Sequence, residues 1–235
     1  MKRKSLGVIG GMGPLATSVF FERVIANTVA SADQEHINMV ILNHATLPDR
    51  TSAILNNQED AFLDEVAKDI QLLEHAGVGH IAIPCNTSHY FYKYMQAMTT
   101  IPIINMVEET CKSIQEHFGK HSKVALLATN GTVETRIYEH ACQKYELEYY
   151  SPKDDIQQQV MNTIYNIKSN YPVDAQKLEN LIRDLIVNEN CQCVILACTE
   201  LSCLKLNDEI RPYTVDAMDV LVQKSIQYSG GLLKE

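Results

Sequence analysis

The stretch His80-Ile-Ala-Ile-Pro-Cys-Asn-Thr-Ser-His89 reads as a short apolar strand that stops at Pro84 and turns through Cys85 toward a helix. The pattern returns at Cys193-Val-Ile-Leu-Ala-Cys-Thr-Glu200, where Val194 to Ala197 is the strand and Cys198 enters the turn. Short apolar runs closed by turn signals suit strands buried on both faces, as in a parallel sheet. Two cysteines therefore stand at matching places in two halves of one chain.

Outward from Cys85, the pattern predicts strands at Ser5 to Ile9, Met39 to Leu42 and Ile101 to Met106. Helices are predicted over Leu15 to Ala30, with Leu15, Val19, Phe20, Val24 and Ile25 on the apolar face, and over Ala61 to His75, with Gly77 as its stop. Gly10-Gly-Met-Gly-Pro14 is a turn with Pro14 at the first helical position, and residues 43–50 read as a loop. Outward from Cys198, strands are predicted at Lys123 to Ala128, Leu147 to Tyr150 and Tyr213 to Val215. Helices are predicted over Val133 to Tyr145, Ile156 to Ile167, Ala175 to Asn188 and Asp219 to Tyr228, with turns at 129–132 and 168–172.

This alternation predicts an α/β fold of two similar βα lobes with parallel sheets, related by a pseudo-twofold axis. Val8-Ile-Gly-Gly-Met-Gly13 corresponds to Leu126-Leu-Ala-Thr-Asn-Gly131, Cys85 to Cys198, and Ile103-Ile-Asn-Met106 to Val215-Asp-Ala-Met218. The expected partition is an N-terminal lobe over 1–107, onto which 216–235 packs back, and a C-terminal lobe over 108–215. Ligands of open α/β sheets bind beyond the carboxyl ends of the strands, so both cysteines are expected on the walls of one cleft.

The composition narrows the function. The 235 residues carry a formal net charge of −9, which argues against nucleic acid; the one basic cluster, Lys2-Arg3-Lys4, reads as a solvated N-terminus. No apolar run has the length of a membrane span, and Leu6 to Ile9 runs straight into glycines rather than a signal-peptide core. Seven cysteines without a regular framework suit a reducing, cytoplasmic compartment. Cys111, Cys142, Cys191, Cys193 and Cys203 read as small buried hydrophobes, not metal ligands. His44, His75, His117, His121 and His140 read as surface or loop residues.

Gly11-x-Gly-x-x-Ala16 matches a dinucleotide fingerprint, but the second strand ends Ile41-Leu-Asn-His44 without the carboxylate that would hold a ribose. The sharper reading is a turn whose bare N–H groups meet a ligand carboxylate. The cysteines suggest the chemistry. A thiolate and a thiol on opposite faces of one carbon can remove a proton and return one from the far side, inverting the stereocentre. Both groups must then serve as acid and as base, which two identical residues do well. A thiol's pKa near 8.5, shifted by one unit, moves this balance by only about 1.4 kcal/mol. Fixed donors must supply most of the barrier lowering. Asn86, Thr87, Thr129, Thr132 and Thr199 suit that work, and Glu200 and His89 stand where they can tune the thiols.

Gly-Gly-Met-Gly-Pro-Leu-Ala-Thr17, Asn-His-Ala-Thr-Leu-Pro-Asp-Arg50, Pro-Cys-Asn-Thr-Ser-His89, Ala-Thr-Asn-Gly-Thr132 and Ala-Cys-Thr-Glu200, in that order, resemble the aspartate/glutamate racemase family, most of all its aspartate branch. The resemblance implies a cofactor-independent isomerase, commonly a homodimer, with Cys85 and Cys198 as the two acid/bases. It implies substrate contacts from Met12, Asn86, Thr87, Thr129 and Thr199, a side-chain carboxylate anchor at Arg50, and a closing cation at Lys168. Gly10-Gly-Met and Cys-Thr-Glu replace the Asp-Ser and Cys-Thr-His of glutamate racemases, which favours aspartate. A racemase for glutamate or another amino acid, a maleate isomerase-like or decarboxylating enzyme, and a non-catalytic binder on the same scaffold are the alternatives.

Overall fold

A computed structural model describes residues 3–234; Lys2 of the basic cluster lies outside them. The first half runs β1 (Leu6–Gly10), α1 (Pro14–Asn27), β2 (Met39–Asn43), α2 (Arg50–Leu55), α3 (Glu59–His75), β3 (His80–Ala82) and α4 (Tyr92–Ala97). The second runs α5 (Met106–Phe118), β4 (Lys123–Ala128), α6 (Asn130–Glu134), α7 (Ile137–Lys144), β5 (Glu148–Tyr150), α8 (Asp154–Lys168), α9 (Ala175–Val187), β6 (Cys193–Ala197), β7 (Thr214–Asp216) and α10 (Ala217–Tyr228). One sheet has the order β2-β1-β3 and the other β5-β4-β6-β7, all neighbours parallel. The two-lobe α/β reading is therefore the observed fold.

Each sheet is covered partly by a helix from the other half of the chain. α10 follows β7 but buries Met218, Leu221 and Ile226 with Leu6, Val8, Phe20 and Val24 of the first lobe. α5 follows the first lobe but buries Val107, Cys111 and Ile114 with Val124, Leu126 and Ile195 of the second. The two helices also pack on each other. This exchange ties the lobes together, so that the cleft has walls from both.

Several expectations change. The predicted strand at Ile101 to Met106 is reduced to a single parallel bridge between Ile81 and Ile103, because Pro102 has no N–H to extend a ladder. Met106 instead opens α5, capped by the Asn105 side chain, and the boundary expected at 107 falls in that helix's first turn. The sheet registers equate Ile81 with Val194, so Ile103 matches Thr214, one residue away from the sequence pairing with Val215. That register aligns the caps of the exchanged helices, Asn105 and Asp216. The helix predicted from Val133 starts earlier and is divided at Arg136, which takes a left-handed φ of 53°. On α1 the buried face is Ala16, Thr17, Phe20 and Val24; Leu15 and Ile25 are exposed. The remaining core reading holds: Phe62, Val66, Ile70 and Leu73 of α3 are buried, and Gly77 ends the helix with φ 66°.

Candidate active site

Pro84 ends the β3 segment, and the Cys85 N–H closes back on the Ile83 carbonyl at 2.7 Å, so the thiol sits on a tight turn. The Cys85 carbonyl accepts from Ser88 Oγ at 2.7 Å and from His89 Nδ1 at 2.8 Å. His89 is buried, and desolvation holds its imidazole below the usual range, hence neutral, despite the carbonyls of Cys85 and Ile104 beside it. It fixes the backbone of the turn and does not reach the sulfur through any hydrogen bond.

β6 delivers Cys198 to the equivalent turn. Its thiol donates to Glu200 Oε2 at 3.0 Å. Burial, then the Glu200 carboxylate, push the Cys198 thiol well above its ordinary range; Lys168 opposes them. Cys198 is thus a protonated thiol at neutral pH. Thr199 Oγ1 donates to the Pro84 carbonyl at 3.2 Å, joining one cysteine turn to the other across the lobes.

Both cysteines line a single enclosed cavity together with Met12, Asp49, Arg50, Thr51, Asn86, Thr87, Thr129, Lys168, Thr199 and Glu200. Its free volume is about 10 Å³, roughly the space of one water and too small for an amino acid. Asp49, Arg50, Lys168 and Glu200 also line an outer cavity of about 380 Å³, bordered by Gly11, Gly13, Leu15 and Asn170. These four charged residues form the partition between inner and outer spaces. A third hollow, of about 280 Å³, surrounds Arg23, Asp216 and Asp219 and touches neither cysteine.

The inner wall holds polar atoms with nothing to bind. Arg50 is 7% exposed; its Nη1 donates to the Pro48 carbonyl at 2.8 Å, its Nε has no partner, and among the described residues no carboxylate pairs with it. Asn86 Nδ2 is likewise buried and unpartnered. Buried donors and unpaired buried cations are costly, so a cavity lined by both is shaped for an anion. Lys168, the last residue of α8, stands 3.9 Å from the Asp49 carboxylate across the lobes. Burial works against the Lys168 charge, but the anionic groups facing it, Glu200 first and Asp49 among them, outweigh it and hold the ammonium above its usual range. Thr87, Thr129 and Thr132 bring their hydroxyls within 2.9–3.1 Å of one another, closing the seam between lobes. A Cβ at Gly131 would meet Thr51 Oγ1 at 2.9 Å and Thr51 Cα at 3.0 Å, so a side chain there would press on the close approach of the lobes.

Comparison with known proteins gives this geometry a context. The profile of the family described as Asp/Glu/Hydantoin racemase matches residues 9–225. The chain belongs to that family. It is 33% identical over 205 residues to the broad specificity amino-acid racemase RacX of Bacillus subtilis (strain 168), covering 84% of this chain and 86% of that one. Its fold is similar to the aspartate racemase of Picrophilus torridus, with TM-score 0.81 and 30% identity over 98% of this chain and 96% of that one. The glutamate racemase RacE1 of Bacillus anthracis shares the fold alone, with TM-score 0.63 and 12% identity over 98% of this chain and 84% of that one. The protein is a racemase, hence an isomerase, acting on amino acids. Among the described residues no helix is long and apolar enough to cross a membrane.

Within this racemase fold, Met12, Arg50, Cys85, Asn86, Thr87, Thr129, Lys168, Cys198, Thr199 and Glu200 all border the inner cavity. Thr132 and His89 stand behind it, the first on the hydroxyls of Thr87 and Thr129, the second on the Cys85 carbonyl. Arg50 lies on a helix rather than a loop, because Asp49 caps α2 by accepting from the Ser52 N–H at 2.9 Å. One N–H of the glycine turn is taken: Gly11, at φ 88° and tight against the His44 backbone, donates to Thr17 Oγ1 at 2.9 Å. His44 is not a free loop residue: its Nδ1 lies 3.0 Å from the buried Asp69 carboxylate. Asp49, Thr51 and Tyr138 were not singled out by sequence. Asp49 carried a signal, an acidic cap after Pro48; Tyr138 carried none.

Proposed function

We propose that the protein is a cofactor-independent aspartate racemase that uses Cys85 and Cys198 as its two acid/bases. The observation behind this reading is the shared inner cavity, with a thiol from each lobe, two unpartnered donors and the buried Arg50 cation around one space. In one direction the Cys85 thiolate takes the α-hydrogen; the Cα–H electron pair moves into the α-carboxylate, where Asn86 Nδ2 meets the growing charge. Cys198 then donates its S–H proton to the opposite face and is left as thiolate beside Lys168. The other direction runs with protonation exchanged. The substrate's second carboxylate replaces Asp49 as the partner of Lys168 and reaches the free Nε of Arg50, since a guanidinium grips carboxylates well. Admission requires the partition of Asp49, Arg50, Lys168 and Glu200 to part, because the inner space is smaller than any amino acid. The reading places the enzyme in the cytoplasm, where seven unlinked thiols survive, and as a homodimer on the family resemblance.

The test is chiral chromatography of L-aspartate incubated with the protein and no added cofactor, run in deuterated water. An equal mixture of enantiomers carrying α-deuterium is expected, and unchanged L-aspartate overturns the reading. Arg50→Ala should lower kcat/KM for aspartate by about 10²-fold, the scale of a buried charge left without its partner, and spare neutral amino acids. A broader range is the second reading. It is supported by the name of the 33% identical relative and by the Asp49 carboxylate in the cavity wall, which suits a cationic or neutral side chain. A panel of amino acids in the same assay separates the two.

A further inference from the structure

Tyr138 lies on α7 of the second lobe with no exposed surface, packed among Val107, Cys111, Ala128 and Cys142. It is no part of the cavity wall. Its hydroxyl nevertheless crosses to the first lobe and donates to Asn86 Oδ1 at 2.6 Å. That separation belongs to O–H···O contacts, which centre near about 2.7–2.8 Å, and is short for N–H···O, near about 2.9–3.0 Å. The oxygen end of the amide therefore faces Tyr138. Its Nδ2 is the buried atom without a partner, on a side chain that borders both cysteines.

An asparagine amide is nearly symmetric in shape but opposite in polarity at its two ends. With Nδ2 toward the cavity it offers donors to a carboxylate. Turned over, it would set lone pairs against that carboxylate. Packing alone cannot choose between two ends of equal size; a hydrogen bond can. We propose that Tyr138 is a positioning residue that locks the Asn86 amide so that only its donors face the ligand carboxylate. Burial holds the phenol well above its ordinary pKa, so it keeps its proton throughout the working range. The lock spans the lobes, so the donor is correctly aimed only when the second lobe is in place over the Cys85 turn. The identity of the ligand as an amino acid rests on the function proposed above; the orientation of the amide does not.

A double-mutant cycle on the full chain tests it, with L-aspartate as the probe and calorimetric Kd as the readout, so that turnover is not required. Tyr138→Phe alone should weaken binding about 3- to 10-fold, the scale of one neutral hydrogen bond. In an Asn86→Ala background the same change should cost less than about 2-fold, because the group it acts through is gone. Equal losses in both backgrounds, or no loss in the parent, overturn the proposal. Asn86→Asp checks it without touching Tyr138. The phenol holds one carboxylate oxygen, the other faces the ligand, and binding should fall below that of Asn86→Ala; equal or tighter binding overturns the lock. Aspartate bound with a non-additive cycle but never racemised removes the two-cysteine reading and keeps the lock. Racemisation with an additive cycle does the reverse, and failure to bind L-aspartate or any other amino acid removes both.

Discussion

The two cysteine turns begin alike and end differently. Both follow a buried strand at the same register from its start, and both lead into a short 3-10 turn. Around Cys85 the polar groups serve the backbone, with Ser88 and His89 on its carbonyl. Around Cys198 the polar group serves the sulfur: the thiol donates to Glu200 Oε2 at 3.0 Å, and burial first, then this carboxylate, push it well above the ordinary thiol range. A repeated fold thus gives equivalent positions, while the side chains that follow each cysteine give the two sulfurs different surroundings. The two-base cycle proposed above needs a proton on one sulfur at rest and on the other after turnover.

The sharpest way to break the comparison is to remove one sulfur at a time. Cys85→Ala and Cys198→Ala should each lower racemisation about 10³-fold or more, at the upper scale of general acid–base catalysis. The variants should differ in exchange: the lone remaining cysteine should wash solvent deuterium into one enantiomer of aspartate, the opposite one in each variant. Near-parent racemisation by either, or exchange into both enantiomers, would dissolve the pairing of equivalent sites.

Glu200→Gln probes the asymmetry itself and should have a smaller effect. A charge-assisted hydrogen bond is worth about 1.5–3 kcal/mol, which corresponds to roughly 10- to 100-fold in rate. The sign follows from the charge. The carboxylate disfavours the Cys198 thiolate, so a neutral amide lets the thiol ionise at lower pH. The alkaline limb of the kcat profile should therefore move down in pH. A limb that stays in place or moves up would mean that Glu200 does not govern the resting proton of Cys198.

How far this asymmetry was legible depends on distance along the chain. The two turns were readable because strand, stop and cysteine are adjacent, and Glu200 because it lies two residues from Cys198. Arg50 was recognised by its motif but misplaced on a loop, since Pro48 and Asp49 look like turn residues until the Asp49 side chain is seen capping α2. The third match between halves slipped by one because Ile103 and Val215 are alike in shape, whereas the hydrogen-bonded register pairs Ile103 with Thr214. α5 was overlooked, and with it the exchange of helices that closes the cleft. Tyr138 was out of reach altogether: its partner is 52 positions away, and a tyrosine on an apolar helix face reads simply as core.

The smallest expected effect concerns the backbone side of the comparison. Desolvation holds buried His89 below its usual pKa, so the unfolded chain binds a proton that the native state refuses. Stability is then fully present above about pH 6.5, the unfolded value, and is lost as pH falls toward the folded one. His80, buried and shifted the same way, adds to the loss in the same window. His89→Gln keeps a donor for the Cys85 carbonyl but has no proton to gain. Its Tm should fall less than the parent's between pH 8 and pH 5, measured by thermal melts of the two proteins across that range. His80 remains, so the slope should flatten without vanishing. Parallel Tm curves for the two proteins would mean that His89 takes up its proton as readily in the native state as in the unfolded chain. Once protonated, it would place a positive charge behind the Cys85 turn, and the contrast between a backbone-tuned and a carboxylate-tuned sulfur would have to be replaced by one between two opposite charges.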